Sequence, residues 1–241
     1  MQAVVLWLTV EVFALNNNVK YRIRFSKTDK MQYIGHLDLL TFFQRAIKRA
    51  RLPIAYSQGF NPHQLTSFAI PLPLGMTSVC EYVEIQLKEL VSCEEVKEKL
   101  NLASTKGIEI LDVRIVGHEE KGCAAEVCAA TYEIHLDTYI DNFELSYNEI
   151  LDDEQWNMEK KGKKATKIVD IKPDVYSLEV LNNKDKTVIR TCIATGSGNN
   201  LKPELLLSYI YSRLNMEFNP FRTEIVRLEL LRQGKNGLEL L

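Results

Sequence analysis

The sequence predicts an α+β protein built from two tandem ferredoxin-like (βαββαβ) domains with antiparallel sheets. Three observations lead there. Strand-period and helix-period segments follow one another in the order βαββαβ between Lys20 and Val116. A polar stretch, Gly117–Glu126, separates this run from the rest. From Val127 onward the same order returns, enlarged by one hairpin. The halves share no obvious sequence repeat, so the duplication is one of topology. A length of 241 residues with 46% hydrophobic and 26% charged side chains suits one or two domains with a substantial core.

Each element has its own signal. Tyr21, Ile23 and Phe25 alternate with Arg22 and Arg24, the period of a half-buried strand. His36–Arg51 reads as a helix with Leu37, Leu40, Phe43, Ile47 and Ala50 on one stripe, ended by Pro53. A loop through Gly59, Asn61 and Pro62 leads to a short strand at Ser67–Leu72 and a turn at Gly75. Tyr82–Leu87 is a strand, Cys93–Leu100 a short helix and Ile108–Val116 the fourth strand. In the second half Val127–Leu136 alternates as a strand, and Asn142–Leu151 is a short acidic helix. Strand-like pieces follow at Lys167–Ile171, Val175–Leu181 and Val188–Ala194, then a helix from Pro203 to Leu214 and a last strand at Thr223–Leu231. The expected organisation is therefore an appendage at 1–18, a first domain at 19–117, a linker at 118–126 and a second domain at 127–241, with a basic hairpin near 159–167.

Composition excludes several classes. Eleven glycines and seven prolines are too few for a collagenous or broadly disordered chain. The apolar stretch Met1–Leu15 is shorter than the ~20 residues of a membrane helix. It carries Glu11 and has no Lys or Arg ahead of it, which suits a signal peptide poorly. The expectation is an appendage or misassigned start codon on a soluble, cytoplasmic protein that makes no membrane contact. Five scattered cysteines, Cys80, Cys93, Cys123, Cys128 and Cys192, fit a reducing compartment better than a disulfide framework. Their spacing completes no zinc site, so neither a metal nor any other cofactor is expected in this chain.

The formal charge of −2 conceals segregation. Nine bases and two acids between Lys20 and Arg51 give a local +7, whereas Tyr139–Gln155 holds six acids and no base. With Tyr21, Ile23 and Phe25 under the helices, Arg22 and Arg24 are expected on the open sheet face, a surface many RNA-binding sheets use. Cross-strand pairing with Glu84 is the competing expectation. Lys27, Arg45 and Arg49, with Lys48 adjacent, are candidate phosphate contacts, as is the run Lys160, Lys161, Lys163 and Lys164. Gly196, Ser197, Gly198 and Asn199 precede a helix and are a candidate phosphate loop, or else a β-to-α turn that needs positive φ. His36 at a helix start is the weak candidate for acid–base cleavage of RNA. The string Ser57-Gln58-Gly59-Phe60-Asn61-Pro62-His63 has turn chemistry unusual for a plain connector, and Asn61 and His63 are candidate specific contacts.

The string YRIRFSKTDKMQYIGHLDLLTFFQRAIKRARLPIAYSQGFNPHQLTSFAIPLPLG resembles the radical-SAM-linked domain family of unknown function, a bacterial family found alone or fused behind B12-binding-type radical SAM proteins. The likeness continues through the KKGKK run, Val169–Pro173 and the GSGNN turn. It implies a radical SAM protein as partner, and that S-adenosylmethionine and an iron–sulfur cluster reside only there, since this chain lacks a CxxxCxxC motif. Members typically start close to Lys20, and their gene neighbourhoods lean toward RNA. The resemblance brings no catalytic residues with it. The tandem outline also looks like that of CRISPR RNA-processing endoribonucleases, an analogy of fold alone. The leading expectation is an accessory module that binds structured RNA (tRNA or rRNA) for a radical SAM enzyme. A metal-independent endoribonuclease using His36, a small-molecule transferase using the glycine turn, and a protein-only adaptor are the alternatives.

Overall fold

The structure, a computed structural model, describes residues 18–117, 119–136, 140, 143–161, 166–183 and 186–241. It is mixed α+β with antiparallel pairing throughout the strand pairs described below. The chain divides into two compact units, residues 1–125 and 126–241. Among the described residues no helix is long and apolar enough to cross a membrane.

In the first unit β1 (Val19–Lys27) pairs with both β4 (Ile108–Ile115) and β3 (Thr77–Leu87), and the short β2 (Thr66–Phe68) pairs with β3. The strand order is thus β4-β1-β3-β2. Helices α1 (His36–Arg49) and α2 (Cys93–Ala103) lie between β1 and β2 and between β3 and β4 in the chain. Period two puts Tyr21, Ile23 and Phe25 on one face of β1, where all three are fully buried among Leu39, Phe43 and Ile47 of α1 and Val96 and Leu100 of α2. Phe25, Phe43 and Phe68 meet as an aromatic cluster, with centroids 4.7 Å (Phe25–Phe43) and 5.5 Å (Phe43–Phe68) apart. Because α1 spends Leu39, Phe43, Ala46 and Ile47 on this core, its opposite face is left to water.

The other face of β1 is not open, which corrects the expectation for Arg22. Arg22 stands opposite Glu84 in the β1–β3 register and is 1% exposed. Its Nε donates to Glu84 Oε1 at 2.9 Å, and its Nη2 donates to the Lys121 carbonyl at 3.1 Å. The same Glu84 oxygen accepts the Cys123 N–H at 3.1 Å. The competing cross-strand pair therefore wins, and the segment expected to be a free linker lies over it. A single helical turn, Cys123–Glu126, follows, with Cys123 buried. Lys27 is likewise 1% exposed and donates from Nζ to the Ile34 carbonyl at 3.1 Å, so it too leaves the surface. Arg24 is half-buried.

In the second unit the order is β10-β5-β9-β8, formed by β5 (Val127–Leu136), β8 (Val175–Asn183), β9 (Lys186–Ala194) and β10 (Thr223–Gly234). The short helical turn above counts as α3. Helix α4 (Phe143–Asp152) and helix α5 (Pro203–Arg213) join these strands. The hairpin β6 (Asn157–Lys161) and β7 (Thr166–Asp170) is the insertion, and a tight turn at Gly237 adds β11 (Gly237–Leu240), which the sequence reading lacked. The expected strand Ser67–Leu72 is only three residues long. Pro71 and Pro73 bring no N–H to a ladder, and pairing stops soon after Phe68.

Two predictions test the buried pair. Glu84→Ala strands the Arg22 guanidinium, and the unfolding free energy should fall by about 3–5 kcal/mol in urea denaturation, whereas Arg22→Met with Glu84→Leu should lose less than that single change. The Cys123 thiol is pushed up to about 12, first by burial and then by the Glu84 carboxylate. The unfolded chain ionises this thiol near pH 9 while the folded one keeps its proton. Stability should therefore fall as pH rises from about 9 to 12, and Cys123→Ala should flatten that alkaline limb in a pH series of denaturation midpoints.

Candidate nucleic-acid interface

The water-facing side of α1 is the first component. Asp38, Thr41, Phe42, Arg45 and Arg49 recur at helical spacing and line a shallow depression of about 350 Å³. Arg45 and Lys48 are exposed. Arg49 is exposed too, but its Nη2 donates to the carbonyl of Ala103, the last residue of α2, at 2.6 Å. A cation at a helix C-terminus is a favourable electrostatic placement, so Arg49 also braces α2. Arg51, just past α1, is an exposed non-glycine residue at φ 52°. From residue 39 to residue 80 the chain contains no carboxylate at all, although the whole sequence has 32.

The second component is the loop after α1. Its stem is closed by an isolated bridge between Tyr56 and Gln64 and by the Ser57 N–H donating to the His63 carbonyl at 2.8 Å. Within it, the His63 N–H donates to Ser57 Oγ at 3.1 Å, and Ser57 Oγ lies 2.8 Å from His63 Nδ1. Gly59 at φ 120° turns the chain where a side chain would be strained. Phe60 then projects fully into water at 104% relative exposure, flanked by exposed Gln58, Asn61, Pro62 and His63. Gln64, only 4% exposed, ties the loop to the helix by donating from Nε2 to the Gln44 carbonyl of α1 at 3.2 Å. The structure thus brings Arg45, Lys48 and the Asn61–His63 loop onto one connected α1–loop substructure. His36, the first residue of α1, is exposed and lies edge-on to Phe68 at 5.4 Å, a packing contact.

The second unit holds the remaining candidates. Lys160 is exposed and donates from Nζ to the Asn200 carbonyl at 3.3 Å, and it stands directly opposite exposed Lys167 across the hairpin. Lys161 pairs through its backbone with Thr166, while Lys163 and Lys164 lie outside the described residues. The hairpin is anchored at its base. Trp156 is buried, stacks on Tyr209 at 5.1 Å and donates from Nε1 to the Ile150 carbonyl. Asp153 pairs with Arg213 at 2.7 Å and accepts the Tyr209 hydroxyl at 2.6 Å.

In the glycine turn, neither Gly196 nor Gly198 has positive φ, which corrects that expectation. Gly196 is demanded instead by crowding, because a Cβ there would lie 2.4 Å from the Val127 carbonyl oxygen. Exposed Ser197 and Asn199 follow, and Asn199 Nδ2 donates to the Asp174 carboxylate at 2.9 Å. A carboxylate beside the turn opposes an anion there. Among the described residues no group of three or more His, Cys, Asp or Glu is placed to hold a metal ion.

Comparison with known proteins adds the following. The sequence profile of the family described as uncharacterized protein conserved in bacteria (DUF2344) matches residues 20–203, about three quarters of the chain and part of both units. The chain belongs to this family. None of the curated proteins matches this DUF2344 member. Among solved structures it is similar to a chain of a Cbf5–Nop10–Gar1 complex, at 10% identity and a TM-score of 0.46, over 87% of this chain and 48% of the other. It therefore spans about half the length of that relative. An unknown protein from Galdieria sulphuraria is similar at 12% identity and a TM-score of 0.24, over 87% of this chain and 96% of the other.

The sequence reading of this DUF2344 chain grouped Arg22 and Lys27 with the surface cations because strand alternation cannot show what covers a sheet face. It passed over Gln64, for which a polar residue beside a loop gives no signal of burial. It also passed over Phe60 as a separate feature, although an aromatic ring inside Gly-Phe-Asn-Pro has no period that would place it in a core. The two glycines of the turn separate structure from binding. Gly196→Ala should lower the thermal midpoint by several degrees through its clash with Val127, whereas Gly198→Ala, which meets nothing within 4 Å, should leave it within about a degree.

Proposed function

We propose that this protein is a non-catalytic accessory protein that binds structured RNA, of the tRNA or rRNA kind, and presents it to a radical SAM partner. The carboxylate-free span from 39 to 80 carries the reading. It places exposed Arg45, Lys48, Arg49 and Arg51 beside a braced loop rich in hydrogen-bonding groups, and the acid that lines the same depression, Asp38, leaves these cations in excess. Phosphates suit such a face, and Asn61 and His63 suit polar groups on the nucleotides. The paired lysines Lys160 and Lys167 support a second phosphate contact on the other unit. The radical SAM partner, with its S-adenosylmethionine and iron–sulfur cluster, follows from the family resemblance, and a cytoplasmic setting from the five scattered cysteines. We also read both units as ferredoxin-like, a reading supported by the orders β4-β1-β3-β2 and β10-β5-β9-β8, which are equivalent once the β6–β7 hairpin is set aside.

Nitrocellulose filter binding of the full chain to tRNA and rRNA fragments across a salt series tests the proposal. The Arg45→Ala, Lys48→Ala double variant avoids Arg49, which braces α2. It should weaken binding about tenfold and reduce the slope of log K against log salt by about 1–2. Unchanged affinity and slope would remove the α1 face from the RNA contact.

A further inference from the structure

We infer that the Ser57–His63 loop is a binding site for one unpaired nucleobase of the RNA, which stacks on Phe60. The inference rests on the RNA reading above and names the part of the RNA that this loop takes. Four observations converge on it. Phe60 is fully exposed, although the same unit packs Phe25, Phe43 and Phe68 into one aromatic cluster. Its position is built, because Gly59 makes the turn at φ 120° and the Ser57–His63 hydrogen bonds close the loop beneath it. The braced backbone presents the ring at a defined place, so binding has to order the Phe60 side chain and not the loop that carries it.

The rim of the loop has the groups a base edge needs. Gln58 and Asn61 are exposed amides, each carrying both donors and an acceptor. Ser57 Oγ accepts the His63 backbone N–H and lies 2.8 Å from Nδ1, so the serine orients the exposed imidazole and leaves its Nε2 to meet a base edge. Finally, Gln64 joins this loop to α1, whose Arg45 and Lys48 supply the positive charge that a phosphate backbone requires next to a stacked base. Double-helical RNA keeps its bases in the stack and offers none to such a ring, so the target is a loop, bulge or end.

The test compares a stem-loop RNA carrying seven unpaired loop nucleotides with a blunt duplex of the same stem, using the full chain. The wild type should prefer the stem-loop. Phe60→Ala should weaken stem-loop binding about 10- to 100-fold, leave the salt slope unchanged and leave duplex binding as it was. Phe60→Trp should keep the affinity, and its added fluorescence, measured against the wild type, should be quenched by the stem-loop. Phe60 is outside the core, so unchanged unfolding midpoints should accompany both variants. If Phe60→Ala binds the stem-loop like the wild type while the Arg45, Lys48 double variant is weakened, base stacking is overturned and the RNA reading stands. If the wild type binds neither RNA, both fall. If Phe60→Ala loses a purified radical SAM protein and not RNA, the loop is a protein contact and the inference is overturned.

Discussion

The Arg22–Glu84 pair is the constraint around which the first unit is arranged. Two charges enclosed between adjacent strands need hydrogen-bond partners, and here three elements supply them: β1, β3 and the backbone of Lys121 and Cys123. That requirement resists a slip of β1 along β3, because a one-residue shift would set Arg22 against an apolar neighbour and turn Tyr21, Ile23 and Phe25 away from the helices. It also explains why the polar segment after β4 is ordered over the sheet. The Glu84 carboxylate takes the Cys123 N–H and Arg22 takes the Lys121 carbonyl from that segment, while Lys20 Nζ lies 3.7 Å from the other Glu84 oxygen.

With α1 and α2 packed on one face of the sheet and the Arg22–Glu84 pair enclosed on the other, the outside of α1 and the loop that follows it present the exposed cations and the ring of Phe60. The division of labour on α1 is sharp. Leu39, Phe43, Ala46 and Ile47 fasten the helix to β1, and Asp38, Arg45, Lys48 and Arg49 on the remaining face carry the charge. The basic loop–helix substructure is thus a by-product of amphipathicity that the chain has kept free of acids over a long stretch. Gln64 is the joint between the two parts, and its burial makes the loop's placement depend on the helix rather than on the loop's own composition.

Much of the α+β layout could be read from periodicity. Val127–Leu136 matches β5 residue for residue, and the helix starts at His36, Cys93 and Pro203 coincide with those of α1, α2 and α5. What could not be read depended on partners distant in sequence. Arg22 and Lys27 have the composition of surface cations, and only the approach of residues 121–123 to one and of Ile34 to the other shows them enclosed. Gly196 looked like a residue chosen for backbone freedom, whereas a carbonyl 69 positions earlier in the chain excludes any side chain there. β11 escaped notice because a four-residue exposed strand has too few positions to display a period.

The facing lysines of the β6–β7 hairpin carry a last consequence. Lys160 and Lys167 occupy directly opposed positions of the strand pair, a placement of like charges that costs stability and that dissolved ions soften. Raising ionic strength should therefore tighten the hairpin while it loosens any polyanion held there.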